Sequence, residues 1–194
     1  MNLGVIEQKR WLLPEHKVPQ PWQRLGAGGF GEVFSAKLNG ITPVAVKHVR
    51  IEDNMTPNQV DEVLITDFYN ESILLCGLQG PHLLHFYGVF WTDPPSPEAP
   101  VLDFYMVLEL AAGGDLRRLL YDYSSGRMAG PKPRMSNETL QRLIIEMFAG
   151  LSFLHENGII HRDLKPDNIM LSRPIEHLDA VPSPILKIID FGHR

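Results

Sequence analysis

The stretch that most restricts how this chain can fold is "IIHRDLKPDNIM", residues 159–170. An apolar pair, Ile159 and Ile160, precedes a dense run of polar residues, and a second apolar pair, Ile169 and Met170, follows it. Pro166 has no amide hydrogen and excludes a regular helix through the segment. The chain must therefore make a loop pinned at both ends, with Asp163, Lys165 and Asn168 able to point into one cleft. An aspartate can take a proton from a hydroxyl, a lysine can neutralise a transferring phosphoryl group, and an asparagine supplies an oxygen ligand for Mg²⁺. A solvated polar loop is the plain alternative, but this order of residue types is too restrictive to favour it.

The rest of the chain reads as an α+β protein in two parts. Residues 1–21 form an N-terminal leader broken by Pro14 and Pro19. From Trp22 to Val49 the pattern is strand-like, with "EVFSAKL", a turn at Asn39-Gly40 and the β-branched "TPVAVKHV". Residues 58–76 predict a helix with Val60, Val63, Leu64, Phe68 and Leu75 near one side. Two strands follow, "LLHFYGVFW" and "VLDFYMVLEL", separated by the proline-rich loop "TDPPSPEAP". "AAGGDL" is a joint leading into a short helix at 114–122, and "SSGRMAGPKP" is another loop. The strongest helix spans 137–156, where Leu140, Leu143, Ile144, Met147, Phe148, Leu151 and Leu154 recur at intervals of three and four, with Ser136 as N-cap and Gly158 as terminator. Strands dominate residues 22–109 and helix dominates 110–194, which predicts a small sheet-rich lobe joined to a helical one.

Bulk properties narrow the function classes. A chain of 194 residues, 44% apolar, can bury a real core. Its net charge of -5 is mixed along the sequence, and no Lys/Arg block marks a nucleic-acid groove. Cys76 is the only cysteine, so no internal disulfide forms and a reducing compartment fits. No uncharged run is long enough to span a bilayer, and the charged N-terminus does not resemble a secretory signal. The expectation is a soluble cytoplasmic protein that works with neither nucleic acid nor membrane.

Three further motifs carry chemistry. "LGAGGFGEV", residues 25–33, places Gly26, Gly28 and Gly31 where backbone can approach phosphate oxygens closely. A glycine-rich turn competes, as does a dinucleotide-binding loop, but the latter needs its third glycine to open a helix and "GEVFSAKL" continues as a strand. "VAVK" ends in Lys47, which is costly to bury in an apolar strand unless paired. Glu52, Glu62 and Glu71 are the candidate partners; Glu71 is preferred and Glu62 is its rival, while a lysine snorkelling from a strand end is the bland reading. Last, a strand from Leu186 to Ile189 delivers Asp190-Phe191-Gly192, a carboxylate at a strand end.

Taken in this order, the four motifs resemble those of the eukaryotic-type protein kinases of the serine/threonine class, over roughly residues 22–194. The resemblance implies a bilobal kinase-like fold with a complete small lobe and an incomplete helical lobe, using ATP and Mg²⁺, with a protein substrate and regulatory protein partners. It implies that Gly26, Ala27, Gly28, Gly29, Phe30 and Gly31 form a flap over the phosphates, with Val33, Ala45 and Met170 around adenine. Lys47 would hold the α- and β-phosphates and pair with Glu71; Leu108 would be the gatekeeper, Glu109 to Ala111 the hinge, and Asp115 would lie near the ribose. Asp163 would orient and deprotonate the acceptor hydroxyl, Lys165 would steady the γ-phosphate, and Asn168 and Asp190 would ligate Mg²⁺. Lys165, two residues after Asp163, is what points to the serine/threonine class. His161, Phe191, Leu75 and Phe86 sit where the family stacks an apolar column.

The chain also departs from the family pattern. The Lys47–Glu71 interval and the segment 172–185 look longer than usual and read as surface insertions. After Gly192 the family continues through an activation segment to an Ala-Pro-Glu motif and several helices, none of which is here. A truncated product is the simplest expectation, and helix 137–156 would then expose apolar surface. The alternative function is a non-catalytic, pseudokinase-like fragment that binds ATP or a partner.

Overall fold

The computed structural model describes residues 11–28, 31–49, 65–92, 103–125, 136–174 and 185–191. These divide into two compact units, one of residues 1–77 and 86–110, the other of residues 78–85 and 111–194. Among the described residues, no helix is long and apolar enough to cross a membrane.

The first unit is a five-stranded antiparallel sheet with one helix. Its strands are β1 (Gln23–Gly28), β2 (Gly31–Leu38), β3 (Thr42–Val49), β4 (Phe86–Thr92) and β5 (Asp103–Glu109), in the order β1-β2-β3-β5-β4. Helix α1 runs over Ile65–Gly77; the part of the expected helix before Ile65 lies outside the described residues. Side chains alternate across the sheet, so each strand feeds two cores. Val44 and Val46 of β3, Phe90 of β4 and Val107 of β5 pack on one face with Val18, Ala36 and Leu38. Val89, Phe104 and Met106 pack on the other with Phe68 of α1, Phe86 and Trp11.

Two residues of the expected leader at 1–21, Trp11 and Val18, join the cores of the sheet. Both are buried in these cores, and Leu12 bridges Val89 in parallel, with Leu13 N donating to Val89 O at 2.8 Å and Val89 N to Trp11 O at 3.0 Å. The close approach depends on Gly88, whose φ is +149° and where an added Cβ would fall 2.1 Å from Trp11 O.

The second unit holds α2 (Leu116–Ser125), α3 (Asn137–Glu156) and a small sheet of β6 (Gly114–Asp115), β7 (Ile169–Leu171) and β8 (Leu186–Ile188), in that order. The expected helix at 114–122 begins two residues late, because Gly114 and Asp115 pair with Leu171 and Met170 and the Asp115 carboxylate then caps α2 by accepting Arg118 N at 2.7 Å. Residues 78–85, read from the sequence as part of the small lobe, belong here instead. Ile188 N donates to His82 O at 2.8 Å and Leu83 bridges Ile188 in parallel, so this segment continues the edge of β8.

Helix α3 starts where its cap signal places it, with Ser136 Oγ accepting Thr139 N at 3.0 Å. Its seven-position apolar stripe does not all reach a core. The buried positions are Thr139, Leu143, Glu146, Gly150 and Leu154. Leu140, Ile144 and Phe148 are exposed, as is Ile145. The helix comes close to its neighbours at Gly150, where a Cβ would meet Ile188 Cδ1 at 2.7 Å and His82 Cβ at 3.0 Å. That contact selects the line through 143, 146, 150 and 154 and turns the rest of the stripe outward.

Candidate active site

In the first unit the glycine segment joins two antiparallel strands. Gly28 pairs with Gly31 and Gly26 with Val33, and a register shift between Arg24 and Gly26 loosens the ladder there. Gly31 has φ +122°, a conformation that glycine adopts at little cost. A strand-to-strand connection is not the strand-to-helix turn that a dinucleotide fingerprint requires. Gly29 and Phe30 lie outside the described residues, and of Ala27 and Gly28 only the backbone is described.

Lys47 projects from β3 to α1, where its Nζ lies 2.9 Å from Glu71 Oε1. Of the three candidate partners, Glu52 and Glu62 lie outside the described residues. Both paired side chains are largely shielded from water, at 13% and 26% exposure, which strengthens the attraction beyond that of a surface pair. The buried hydroxyl of Ser72 donates to Phe68 O at 2.7 Å, one position along α1 from Glu71. Ala45 is buried on β3 opposite Leu108 of β5, and Val44 lies opposite Glu109. Leu75 packs against the cluster that contains Phe86.

In the second unit the chain leaves α3 through Gly158, with φ +75°, and Arg162 then takes φ +68°. His161 is buried within this turn. Its Nε2 lies 3.0 Å from Ile189 O, and its Nδ1 accepts Asp163 N at 3.4 Å. A proton on Nε2 satisfies both contacts, so the ring ties the residue before Asp190 to the backbone of Asp163. Asp163 Oδ2 accepts Lys165 Nζ at 2.5 Å and Asn168 Nδ2 at 3.1 Å, and Asn168 Nδ2 also donates to Asp163 O at 2.8 Å. Pro166–Asn168 form a 3-10 turn that buries Asn168, and Ile189 N donates to Asn168 O at 3.0 Å. The structure therefore brings Asp163, Lys165 and Asn168 together and ties Asn168 to the segment that carries Asp190.

Met170 lies beside Asp115 in the β6–β7 pair, and Ala111 is buried. Phe191 is buried, while Gly192 lies outside the described residues. Sequence reasoning did not find the ion pair from Arg117 to Asp167 at 2.8 Å, which links α2 to the 3-10 turn. Nor did it find Glu146, whose partners are backbone amides 39 and 40 residues further on.

The charges in this loop shift each other. The hydrogen bond from Lys165 holds the Asp163 carboxyl below the usual carboxylate range, with help from the Lys165 charge and Asn168. The same bond, joined by the charges of Asp163, Asp167 and Asp190, raises Lys165. A carboxyl lowered on folding favours the folded state above its unfolded pKa, and that contribution fades as pH falls through the lowered value. The raised ammonium contributes below its unfolded pKa and loses this as pH rises through the raised value. The expected result for Lys165→Met is an upward move of the Asp163 titration midpoint, read by carbon-detected NMR. An unchanged midpoint would contradict the hydrogen bond as its cause.

The donor set suits a hard cation that also binds phosphates. Asn168 turns its amide nitrogen to Asp163, which leaves its carbonyl oxygen facing away. Among the described residues no group of three or more His, Cys, Asp or Glu could hold a metal alone. Mg²⁺ commonly takes only one or two protein oxygens and completes its shell with phosphates and water. Asn168 and Asp190 offer that number.

Comparison with known proteins gives the chain's family. A model of the protein kinase domain matches residues 20–194. The chain is 28% identical over 172 residues to a probable serine/threonine-protein kinase of Dictyostelium discoideum, covering 89% of this chain and 16% of that protein. It is 29% identical over 173 residues to the serine/threonine-protein kinase ULK3 of Homo sapiens, covering 88% and 30%. It is 29% identical over 180 residues to the serine/threonine-protein kinase SSK22 of Saccharomyces cerevisiae, covering 90% and 11%. The chain thus spans less than a third of the length of each of these relatives. With a family match that runs from just before β1 through Asp190, and with all four motifs inside it, the chain belongs to the protein kinase domain family.

Proposed function

We propose that the chain is a serine/threonine protein kinase that transfers the γ-phosphoryl group of ATP to a protein hydroxyl. The observation that carries the reading is the Asp163 carboxylate, held by Lys165 and Asn168 on one short loop. Asp163 would orient the acceptor hydroxyl and take its proton as the new P–O bond forms, and ADP would leave with the electrons of the broken P–O bond. Lys165 would counter the charge on the γ-phosphoryl oxygens. Lys47, held by Glu71, would take the α- and β-phosphate oxygens. Asn168 and Asp190 would hold Mg²⁺, which supplies charge neutralisation when bound. The backbone of Gly26, Gly28 and Gly31 would lie over the phosphates. Val33, Ala45, Leu108 and Met170 would line the adenine site, Glu109 to Ala111 would offer it backbone hydrogen bonds, and Asp115 would meet the ribose. Binding and positioning carry most of this catalysis, because phosphoryl transfer asks little covalent chemistry of the protein.

A cytoplasmic setting is part of the same proposal, supported by an exposed, unbridged Cys76. The test is transfer of labelled γ-phosphate to pooled serine/threonine peptides and to pooled tyrosine peptides. The expected result is labelling of the first pool only, lost in Lys47→Met. Folded protein that labels neither pool, or labels equally well with Lys47→Met, overturns the proposal.

A further inference from the structure

A buried carboxylate stands on the inner face of α3 where the helix repeat calls for an apolar side chain. Glu146 is 4% exposed, in line with Leu143, Gly150 and Leu154. Burying a charge is costly unless it is fully paired, and the partners of this one are specific. Glu146 Oε2 accepts Ile185 N at 2.7 Å and Leu186 N at 2.8 Å, while Oε1 accepts Arg142 Nε at 3.1 Å. Ile185 and Leu186 are themselves buried, so their amides would otherwise be donors without water.

Those two amides head the strand that leads to Asp190. Strand β8 has only three residues and is fixed from several sides. It pairs with β7, Ile188 N donates to His82 O at 2.8 Å, and Ile189 N donates to Asn168 O at 3.0 Å. Glu146 is the anchor at its start. Beyond it, Asp190 has φ +53°, a left-handed conformation uncommon outside glycine.

We propose that Glu146 is a positioning residue for Asp190: its buried carboxylate fixes the head of β8 and, through that strand, the aspartate to which the proposed function assigns Mg²⁺. The inference rests on that assignment. It also explains why a carboxylate occupies a core position, since leucine there would fill the space but leave two strand amides unpaired.

The test compares the wild type with Glu146→Leu, Glu146→Gln and Asp190→Asn in two measurements. One is amide hydrogen exchange at Ile185 and Leu186. The other is ATP affinity in Mg²⁺ and in EDTA, whose ratio reads the metal's contribution. Glu146→Leu should speed exchange at both amides by roughly tenfold or more. It should also cut the Mg²⁺-dependent gain in ATP affinity by about tenfold, toward that of Asp190→Asn, while leaving affinity in EDTA unchanged. Glu146→Gln retains an oxygen for both amides and should restore the gain to within about threefold of wild type, its loss coming from the contact with Arg142. If leucine unfolds the chain, Glu146→Asp, one methylene too short to reach both amides, is read in the same way. A wild type with a full Mg²⁺ gain that folded Glu146→Leu, or Glu146→Asp in its place, retains overturns this inference alone. A wild type to whose ATP affinity Mg²⁺ adds nothing overturns the proposed function and this inference with it.

Discussion

Replacing Asp163 by Asn should lower phosphoryl transfer by roughly 10²- to 10⁴-fold, the usual worth of a positioned general base. The substitution preserves shape and removes only the charge and the site that accepts the proton. Asp163 sits on the loop surface, and its partners Lys165 and Asn168 are held by a local turn of the backbone. The fold therefore has no reason to change, and circular dichroism and ATP affinity should stay close to wild type. Removing the carboxylate also removes the first cause of the raised Lys165 pKa, so that ammonium should titrate lower than in the wild type. Single-turnover transfer from saturating ATP isolates the chemical step from product release. A rate within a few-fold of wild type would show that Asp163 does not take the proton.

The second large effect is on stability. Phe90, on β4, is 1% exposed in the cluster that covers one face of the sheet. Its ring stacks on Tyr105 with centroids 4.8 Å apart and meets the edge of Trp22 at 5.9 Å. Val44 and Val46 of β3, the strand that carries Lys47, belong to the same cluster. Phe90→Ala should cost about 3–5 kcal/mol, from lost burial and from a cavity the rigid sheet cannot close. That is a large part of the roughly 5–15 kcal/mol available to a typical domain. All three tryptophans, Trp11, Trp22 and Trp91, lie in the first unit, so urea unfolding followed by tryptophan fluorescence reports that unit directly. Ile41→Ala, at a position 81% exposed, is the matched control and should leave the midpoint unchanged. A cost for Phe90→Ala below about 1 kcal/mol would mean that this face is not packed as described.

Much of this could be read from the sequence because the signals are local. Ser136 caps α3 as its position before an apolar run predicts, and Asn39-Gly40 turns β2 into β3. Glu71, the preferred of the three candidate glutamates, pairs with Lys47. What escaped depends on contacts distant in sequence. Nothing near Trp11 signals that Gly88 leaves room for its backbone. Residues 83–85 look like the start of β4, yet their partner is Ile188, about a hundred positions on. The apolar stripe of α3 offers more positions than one face can bury, and only the close approach at Gly150 selects among them. Glu146 is the clearest case: a glutamate on a helix ordinarily reads as solvated, and backbone amides carry no residue-type signal that would pair with it.

The proposed function requires that this chain bind magnesium nucleotide, with Lys47, Asn168 and Asp190 contributing. Isothermal titration calorimetry of ATP into the folded chain, with and without Mg²⁺, tests it most directly. The expected result is saturable heat with one-to-one stoichiometry, tighter binding with Mg²⁺, weaker binding in Lys47→Met and loss of the Mg²⁺ advantage in Asp190→Asn. Folded protein that gives no heat with Mg²⁺ and ATP, or whose affinity ignores both substitutions, would contradict it.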